Sequence, residues 1–352
     1  MKTSLKILVL FVLLVGITLL VVPSGWAQTQ PREKITIKFS HVGAVDSVRH
    51  LTALKFKELL EKETNGRVVV EVFPSGQLYK ATEEGEALAN GHVQMLNTAG
   101  GTPTKFVGEW EVFGLPTVWF STPTNMDHTL AFEASEVCRK HITSKLEAKG
   151  IKFISFLPSC TSGGVSTSKK AARKIEDFKG MKIHNPFGQA KFLFLKSLGA
   201  TNHVIPQSEL VMALTTGMVD GEYGMVENTL TQGYPIKYVH EWGGLMSGHG
   251  GACTLMNLAF WNSLPSDIKK IIMEKVVPEL KAWDVKKVFE MEAKARATMR
   301  SRGVEFINLT PEMREQVRAI AAKPVLEWYV KRYPVSGPAI LAEAARLDPR
   351  TK

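Results

Sequence analysis

The chain has 352 residues, 44% of them apolar and 22% charged, with a formal net charge of +10. A globular chain of this size buries roughly three quarters of its unfolded surface, so disordered, fibrous and disulfide-stapled classes are excluded. By length it holds about two domains or one large α/β domain.

The first 27 residues read as a secretory signal peptide. Lys2 and Lys6 precede an apolar run from Ile7 to Val22, and Gly25 and Ala27 form a small-x-small cleavage site. That run is shorter than the ~20 residues of a spanning helix, and no cysteine follows it as a lipid anchor site. No later stretch approaches the length of a span, so the expectation is an exported, soluble protein cleaved near Ala27. Loss of the leader removes two lysines and leaves a formal +8.

Residues 28–34 form a polar lead-in. Ile35-Thr-Ile-Lys-Phe alternates with period two and predicts a strand. Ser47 begins a helix whose apolar positions Leu51, Leu54, Phe56, Leu59 and Leu60 share a face, stopped by Asn65-Gly66. Val68 to Phe73 is a second strand with a turn at Pro74-Ser-Gly. Thr82 and the glutamates after it cap a short helix to Ala89, closed by Asn90-Gly91. Val93 to Leu96 is a third strand. This alternation predicts an α/β unit with a largely parallel sheet.

A long amphipathic helix is expected from about Asn125 to Lys149, then a strand from Ile151 to Leu157. The pattern restarts after Ser162-Gly-Gly-Val-Ser-Thr-Ser, a crossing segment. Met181 to His184 and Met218 to Gly221 read as strands, Gly188 to Leu198 and Ser208 to Thr216 as helices, and Cys253 to Phe260 as a strong β run. A helical block capped by Ser266 and broken or kinked at Pro278 continues to about Ser301. Val304 to Ile307 is the last strand, before a helix opening at Thr310-Pro. The expected division is a leader at 1–27, a first lobe at 28–157 with returning segments in 254–352 shared between lobes, and a second lobe core at 158–253.

Enzyme signatures are missing. There is no GxSxG elbow, no P-loop and no GxGxxG after a strand. His240-Glu241 lacks the second histidine of a zinc protease motif, and His249-Gly-Gly reads as a Gly-rich turn. The nine histidines show no paired metal spacing, so no catalytic residue, metal or cofactor is assigned. Cys138, Cys160 and Cys253 are an odd set with no metal spacing; they read as small buried hydrophobes, and the sequence does not choose a disulfide among them. Lys169, Lys170, Arg173 and Lys174 are followed at once by Glu176 and Asp177, a solvated face rather than a nucleic-acid patch.

Six short motifs carry a resemblance. Phe73-Pro-Ser-Gly-Gln-Leu, Leu115-Pro-Thr-Val-Trp-Phe, Phe178-Lys-Gly-Met-Lys-Ile, Leu198-Gly-Ala, the run from Pro206-Gln-Ser-Glu to Val219-Asp-Gly, and Leu264-Pro follow in order behind the leader. In this order they resemble the extracytoplasmic solute-binding proteins of TRAP transporters, in the dicarboxylate-type (DctP-like) branch, over about residues 35–333. The resemblance implies a two-lobe, Venus-flytrap α/β fold with crossing strands and a long connecting helix. It implies a periplasmic protein that closes on a small organic solute and delivers it to membrane permease subunits, with no catalysis, and a monomer is the expected state. An ABC-type binding protein, distinguished by a neighbouring ATPase gene, is the alternative. A periplasmic enzyme on a two-lobe scaffold is a further one, which turnover of a candidate solute would expose.

The family's hallmark carboxylate-gripping arginine falls on His184, and a second arginine of some members falls near Gly164. The aromatic before Ser-Glu is Gln207, and the usual Asp-Gly-Gln-Glu-Asn reads Asp220-Gly221-Glu222-Tyr223-Gly224. His184, Gln207, Glu222 and Tyr223 offer hydrogen bonds from short or neutral groups instead of a fixed cationic fork. The expected solute is therefore neutral, polar-aromatic or weakly acidic, and not a simple C4-dicarboxylate. From the first lobe, His41, Arg49, Asn97 and Thr98 join the candidate site because ligands collect at the carboxyl ends of parallel strands. Phe187 and Trp119 are expected as apolar walls.

Overall fold

The structure is a computed structural model that describes residues 34–119, 127–157, 164–185, 188–241 and 252–349. The leader and its cleavage site, Phe120, Asn125, Cys160, Ser162, Phe187 and the His249 turn lie outside the described residues.

The strands of the first half are β1 (Ile35–Ser40), β2 (Val68–Phe73), β3 (Met95–Ala99), β4 (Ile151–Leu157) and β5 (Gly164–Thr167). They are followed by β6 (Lys182–His184), β7 (Thr201–His203), β8 (Gly221–Gly224), β9 (Tyr238–Glu241), β10 (Ala252–Asn257) and β11 (Glu305–Asn308). They form two sheets, in the orders β2-β1-β3-β10-β4 and β11-β9-β5-β8-β6-β7. In the first sheet β1 runs parallel to β2 and β3, whereas β10 runs antiparallel to both β3 and β4. The fold is thus the two-lobe α/β architecture; β1, β2 and β3 form the parallel unit expected, and the inserted β10 makes the sheet as a whole mixed.

Four helices carry or support the candidate site residues. They are α1 (Val48–Glu63), α2 (Gln189–Ser197), α3 (Val226–Thr231) and α4 (Val277–Ser301). Ser47 caps α1 by accepting the His50 N–H, and Asn65 and Gly66, both with positive φ, end it. Its buried face is Val48, Thr52, Ala53, Phe56, Leu59 and Leu60; Leu54, expected on that face, is exposed. Pro278 does not break its helix. A π turn at Ile272–Val276 runs straight into α4, and the proline is its second residue, so the widened turn sits where the missing N–H interrupts the helical bonding.

Other expectations are corrected. The helix foreseen from Asn125 to Lys149 is interrupted: Asp127–Glu133 ends, and Ser135 caps a new turn by accepting the Cys138 N–H at 3.1 Å. Serine competes for backbone bonds inside helices and favours their starts. The short helix Glu84–Ala89 follows Glu83 and has no side-chain cap from Thr82. The strand expected at Met218–Gly221 instead starts at Gly221, because Gly217 closes the preceding helix in the left-handed region at φ 85°. The β run from Cys253 ends at Asn257, whose side chain accepts the Phe260 N–H at 2.8 Å and starts a helix at Leu258.

Trp110, Phe113, Trp119, Phe132 and Phe156 interlock in one core, with Phe113 and Phe156 centroids 4.5 Å apart. Trp119 is not a cleft wall: it is buried, stacks on Phe113 and donates Nε1–H to the Val112 carbonyl at 2.8 Å. Cys138 and Cys253 are buried free thiols. From the basic cluster, Arg173 makes a two-pronged contact with Glu305 at 2.7 and 2.8 Å, tying the start of the second lobe to β11.

Gly221 marks the tightest approach between strands. A Cβ built on it would lie 2.3 Å from the Ser166 carbonyl oxygen of β5, and a backbone atom cannot swing aside. Gly221→Ala should therefore lower stability by at least about 1–3 kcal/mol in urea denaturation followed by far-UV dichroism; unchanged stability would contradict the packing of β5 on β8.

Candidate functional site

Parallel pairing of β6 with β8 sets His184 beside Glu222, and β5 sets Ser166 on the other flank of Glu222. His184 is buried, with Nδ1 3.2 Å from the His203 carbonyl oxygen and 3.3 Å from the Ile205 amide nitrogen. One tautomer donates to the carbonyl and the other accepts the amide proton. Burial pushes its pKa down to about 4, against the opposing pull of the His203 carbonyl, so the ring is neutral at physiological pH.

Glu222 accepts a hydrogen bond from the Thr229 hydroxyl of α3, and burial pushes its carboxyl up to about 7. Gly224 makes room for it: a Cβ there would lie 2.8 Å from the Glu222 carboxyl carbon. The Tyr234 hydroxyl is buried next to Gln207, Asn228 and the Glu222 charge. Tyr223, the next residue on β8, faces the opposite side of the sheet as strand alternation requires. There the Lys191 Nζ of α2 lies 5.0 Å from its ring centroid.

The first sheet contributes a second cluster. His41, just past β1, is buried and its Nε2 lies 3.1 Å from His50 Nδ1. Burial, with the charge of Arg49 and the His50 ring adding, pushes His41 down to about 3. Thr98 at the end of β3 donates to Glu84 and lies 2.8 Å from the Thr102 hydroxyl. Burial raises Glu84 to about 7, while the Thr98 bond, Arg49 and Lys105 oppose. Asn97, the neighbouring β3 residue, points the other way, its amide 3.5 Å from the Thr254 hydroxyl. Arg49 is the shared charge: His41, Glu84, Cys253 and Glu227 all feel it.

Two carboxyl groups link the sheets. Glu111, from the segment between β3 and β4, accepts the Gln189 N–H at 2.7 Å and the Ala190 N–H at 3.1 Å, covering the start of α2. Glu227 of α3 accepts from the Val48 amide at the start of α1, and burial raises it to about 7. A shallow, half-open cleft lies beside the first link, walled by Gly100, Gly101, Thr104, Trp110, Glu111 and Lys191 among others.

Of the ten candidate residues, Arg49 and Thr98 act on Glu84, His41 meets His50 and feels the Arg49 charge, and His184 and Glu222 stand side by side. Gln207 reaches the same buried pocket through Tyr234. Asn97, Tyr223 and Trp119 point elsewhere, and Phe187 lies outside the described residues. Lys191, Glu111 and Glu227 were not foreseen; the only signal for Glu111 is its place among the apolar Trp110, Val112 and Phe113. Among the described residues no three His, Cys, Asp or Glu side chains are grouped to hold a metal ion. No described helix is long and apolar enough to cross a membrane.

Residues 39–332 match the family described as bacterial extracellular solute-binding protein, family 7. The C4-dicarboxylate-binding periplasmic protein DctP of Rhodobacter capsulatus is 36% identical over 289 residues, 80% of this chain and 83% of that protein. A TRAP periplasmic solute-binding protein from Shewanella oneidensis, solved with bound succinate, shares 25% identity at a TM-score of 0.79 and covers 90% of this chain and 99% of its own. The sugar acid binding protein of Advenella mimigardefordensis, in complex with galactonate, reaches a TM-score of 0.80 at 20% identity, a likeness of fold, covering 90% and 99%.

The buried Glu222 predicts a pH signature. Its folded pKa lies near 7 against an ordinary carboxyl value of 4.5, so its protonated form is favoured by folding. That contribution is fully present below about pH 4.5 and is lost as pH rises through about 7. Glu222→Gln keeps an acceptor for Thr229 and removes the loss. Relative to the parent, the variant should gain about 2–3 kcal/mol between pH 5 and pH 8 in paired urea titrations; a pH-independent difference would show that Glu222 ionises freely in the folded protein.

Proposed function

Given that the chain belongs to bacterial extracellular solute-binding protein family 7, we propose that it captures a small organic solute carrying at most one carboxylate, neutral to weakly acidic and polar or aromatic in character. It hands the solute to TRAP membrane permease subunits after export and cleavage near Ala27. The two lobes, 28–157 with returning segments from 254–352 and 158–253, close on the solute by hinge motion, and the protein carries out no chemistry on it. The periplasm is its working compartment.

The observation that carries the solute class is His184. At the position where the resemblance places an arginine fork, the side chain is a buried neutral imidazole whose Nδ1 is engaged with the His203 carbonyl in one tautomer or the Ile205 amide in the other. A neutral ring cannot grip a second carboxylate as a guanidinium does. The name of the Rhodobacter capsulatus relative favours a C4-dicarboxylate instead, and that is the competing reading.

Calorimetry separates them. Succinate and malate should bind at least tenfold more weakly than the physiological solute, identified by native mass spectrometry of protein purified from the periplasm. His184→Arg should improve succinate affinity by about tenfold, near 1.4 kcal/mol. Because His184 titrates near pH 4, its protonation contributes no change in affinity between pH 5.5 and 8. Submicromolar succinate binding by the parent protein would decide for the dicarboxylate reading.

A further inference from the structure

We propose that the amino-terminal end of the second sheet is a docking surface that holds the protein on a bilayer rich in anionic phospholipid. This goes beyond solute capture and does not depend on which solute is bound. β5 ends at Thr167, β6 begins at Lys182, β8 at Gly221 and β9 at Tyr238, and register sets Thr167 beside both Gly221 and Tyr238. Lys169, Lys170, Lys182, Met218 and Lys237 therefore gather at one end of the sheet, opposite the end at which His184 closes β6. Hydrogen bonds tie the group together. The Lys237 N–H donates to the Thr167 carbonyl at 3.0 Å, and the Lys182 ammonium donates to the Gly217 carbonyl at 2.8 Å. A Cβ built on Gly217 would lie 2.8 Å from the Lys169 nitrogen, so that ammonium sits against the turn between Thr216 and Met218.

Charge and apolar surface coincide there. Met212 and Met218, on either side of Gly217, are 67% and 62% exposed. Leu210, Ala213 and Leu214 bury the inner face of the helix Leu210–Thr216, which fixes Met212 outward. Lys169, Lys170 and Lys237 are exposed, and among the described residues no carboxylate pairs with them. Nearby acids are occupied: Glu305 holds Arg173, and Asp177 accepts the Arg173 and Lys174 amides. Asp220 is buried and accepts the Lys182 N–H at 2.9 Å. Glu176 is the exposed acid that remains on the same segment, so the patch keeps a positive excess.

An ammonium near an anionic bilayer adds about fivefold to binding. Flexible methionine side chains fit the irregular headgroup region and lose water on entering it. A nucleic acid would use the lysines and leave the methionines wet, whereas a bilayer uses both. An exported protein that serves a membrane permease also works beside such a surface.

Protein purified from the periplasm is sedimented with vesicles of phosphatidylcholine, alone or mixed equally with phosphatidylglycerol, at low and high sodium chloride. The paired variants are Lys169→Glu with Lys170→Glu, the same two positions as arginine, and Met212→Ser with Met218→Ser. Lys80→Glu with Lys149→Glu, two exposed lysines of the first lobe, controls for net charge. Far-UV dichroism and thermal midpoints verify folding. The parent should bind the phosphatidylglycerol vesicles and not phosphatidylcholine, at least tenfold more weakly at high salt. The glutamate pair at 169 and 170 should weaken binding by about thirtyfold or more, and the serine pair by about tenfold. The arginine pair and the first-lobe pair should stay within about threefold of the parent.

No binding to the mixed vesicles, or equal binding to both kinds, overturns the proposal. So does an equal loss in the first-lobe pair, which would trace binding to net charge alone. Displacement by inorganic phosphate at matched ionic strength would assign the patch to a free anion, and binding that requires permease subunits in the bilayer would assign it to a protein. Each of these leaves solute capture standing, because that reading is tested separately by native mass spectra of co-purified ligand.

Discussion

The start of α2 is the constraint on which the second lobe depends. Its N-cap position is Gly188, at φ 95° and with no side chain to offer, so its first amides need an acceptor from elsewhere. Glu111 supplies both oxygens from a segment 78 residues earlier in the chain. A carboxylate at a helix start gains from the aligned peptide dipoles as well as from the bonds themselves. The position of α2 then sets where β6 ends, where Lys191 meets Tyr223, and where the cleft opens. Glu227 repeats the device in the opposite direction, from the second-sheet helix α3 to the first amide of α1. Each sheet thus lends a carboxyl group to a helix that belongs with the other.

Desolvation dominates the remaining electrostatics. Glu84, Glu222 and Glu227 are all raised to about 7, while His41 and His184 are driven well below neutral pH. The same cause, loss of water around a charge, makes the acids hold protons and the imidazoles shed them. The interior around the sheet ends is therefore lined mostly by uncharged donors and acceptors, which discriminate by geometry more than by charge. The departures from the usual motif on β8 also make joint sense here: Glu222 turns toward Thr229, and the glycine at 224 leaves its carboxyl group room.

The first sheet was legible in the sequence because its strands are long enough to show a period, as Ile35–Ser40 and Val68–Phe73 do, and because Ser47 and Asn65-Gly66 bracket α1. The second sheet was less so. β5, β7 and β9 have only three or four residues, too few for alternation to stand out, and β8 was hidden because its Gly-Glu-Tyr-Gly has weak strand preference. At the site, motif order pointed to His184 and Glu222, which register brings together; the carboxyl ends of the parallel strands pointed to His41, Arg49 and Thr98, of which Arg49 and Thr98 act on Glu84 while His41 meets His50. Lys191 and Glu111 were not legible, since their partners lie far away in sequence or across a sheet and no local pattern records such a meeting. Trp119 was misjudged because its indole N–H finds the Val112 carbonyl and its ring stacks on Phe113, contacts that place it in the core.

The sheet orders have a consequence for how the chain acquires this structure. The backbone passes from the first sheet to the second after β4, returns after β9 to insert β10 between β3 and β4, and crosses again after α4 to lay β11 on the edge beside β9. The β3–β4 neighbourhood of the first sheet cannot close until residue 257 is available, and the second sheet lacks its outer strand until residue 308. Neither half is a contiguous segment that matures on its own, so most stabilising contacts are distant in sequence and their formation carries a large loop-closure cost. A polypeptide that emerges from a membrane pore amino terminus first would expose unpaired β3 and β4 edges throughout its passage. Completion of both sheets is thereby deferred to the arrival of the last third of the chain, so the two lobes mature together and not one after the other.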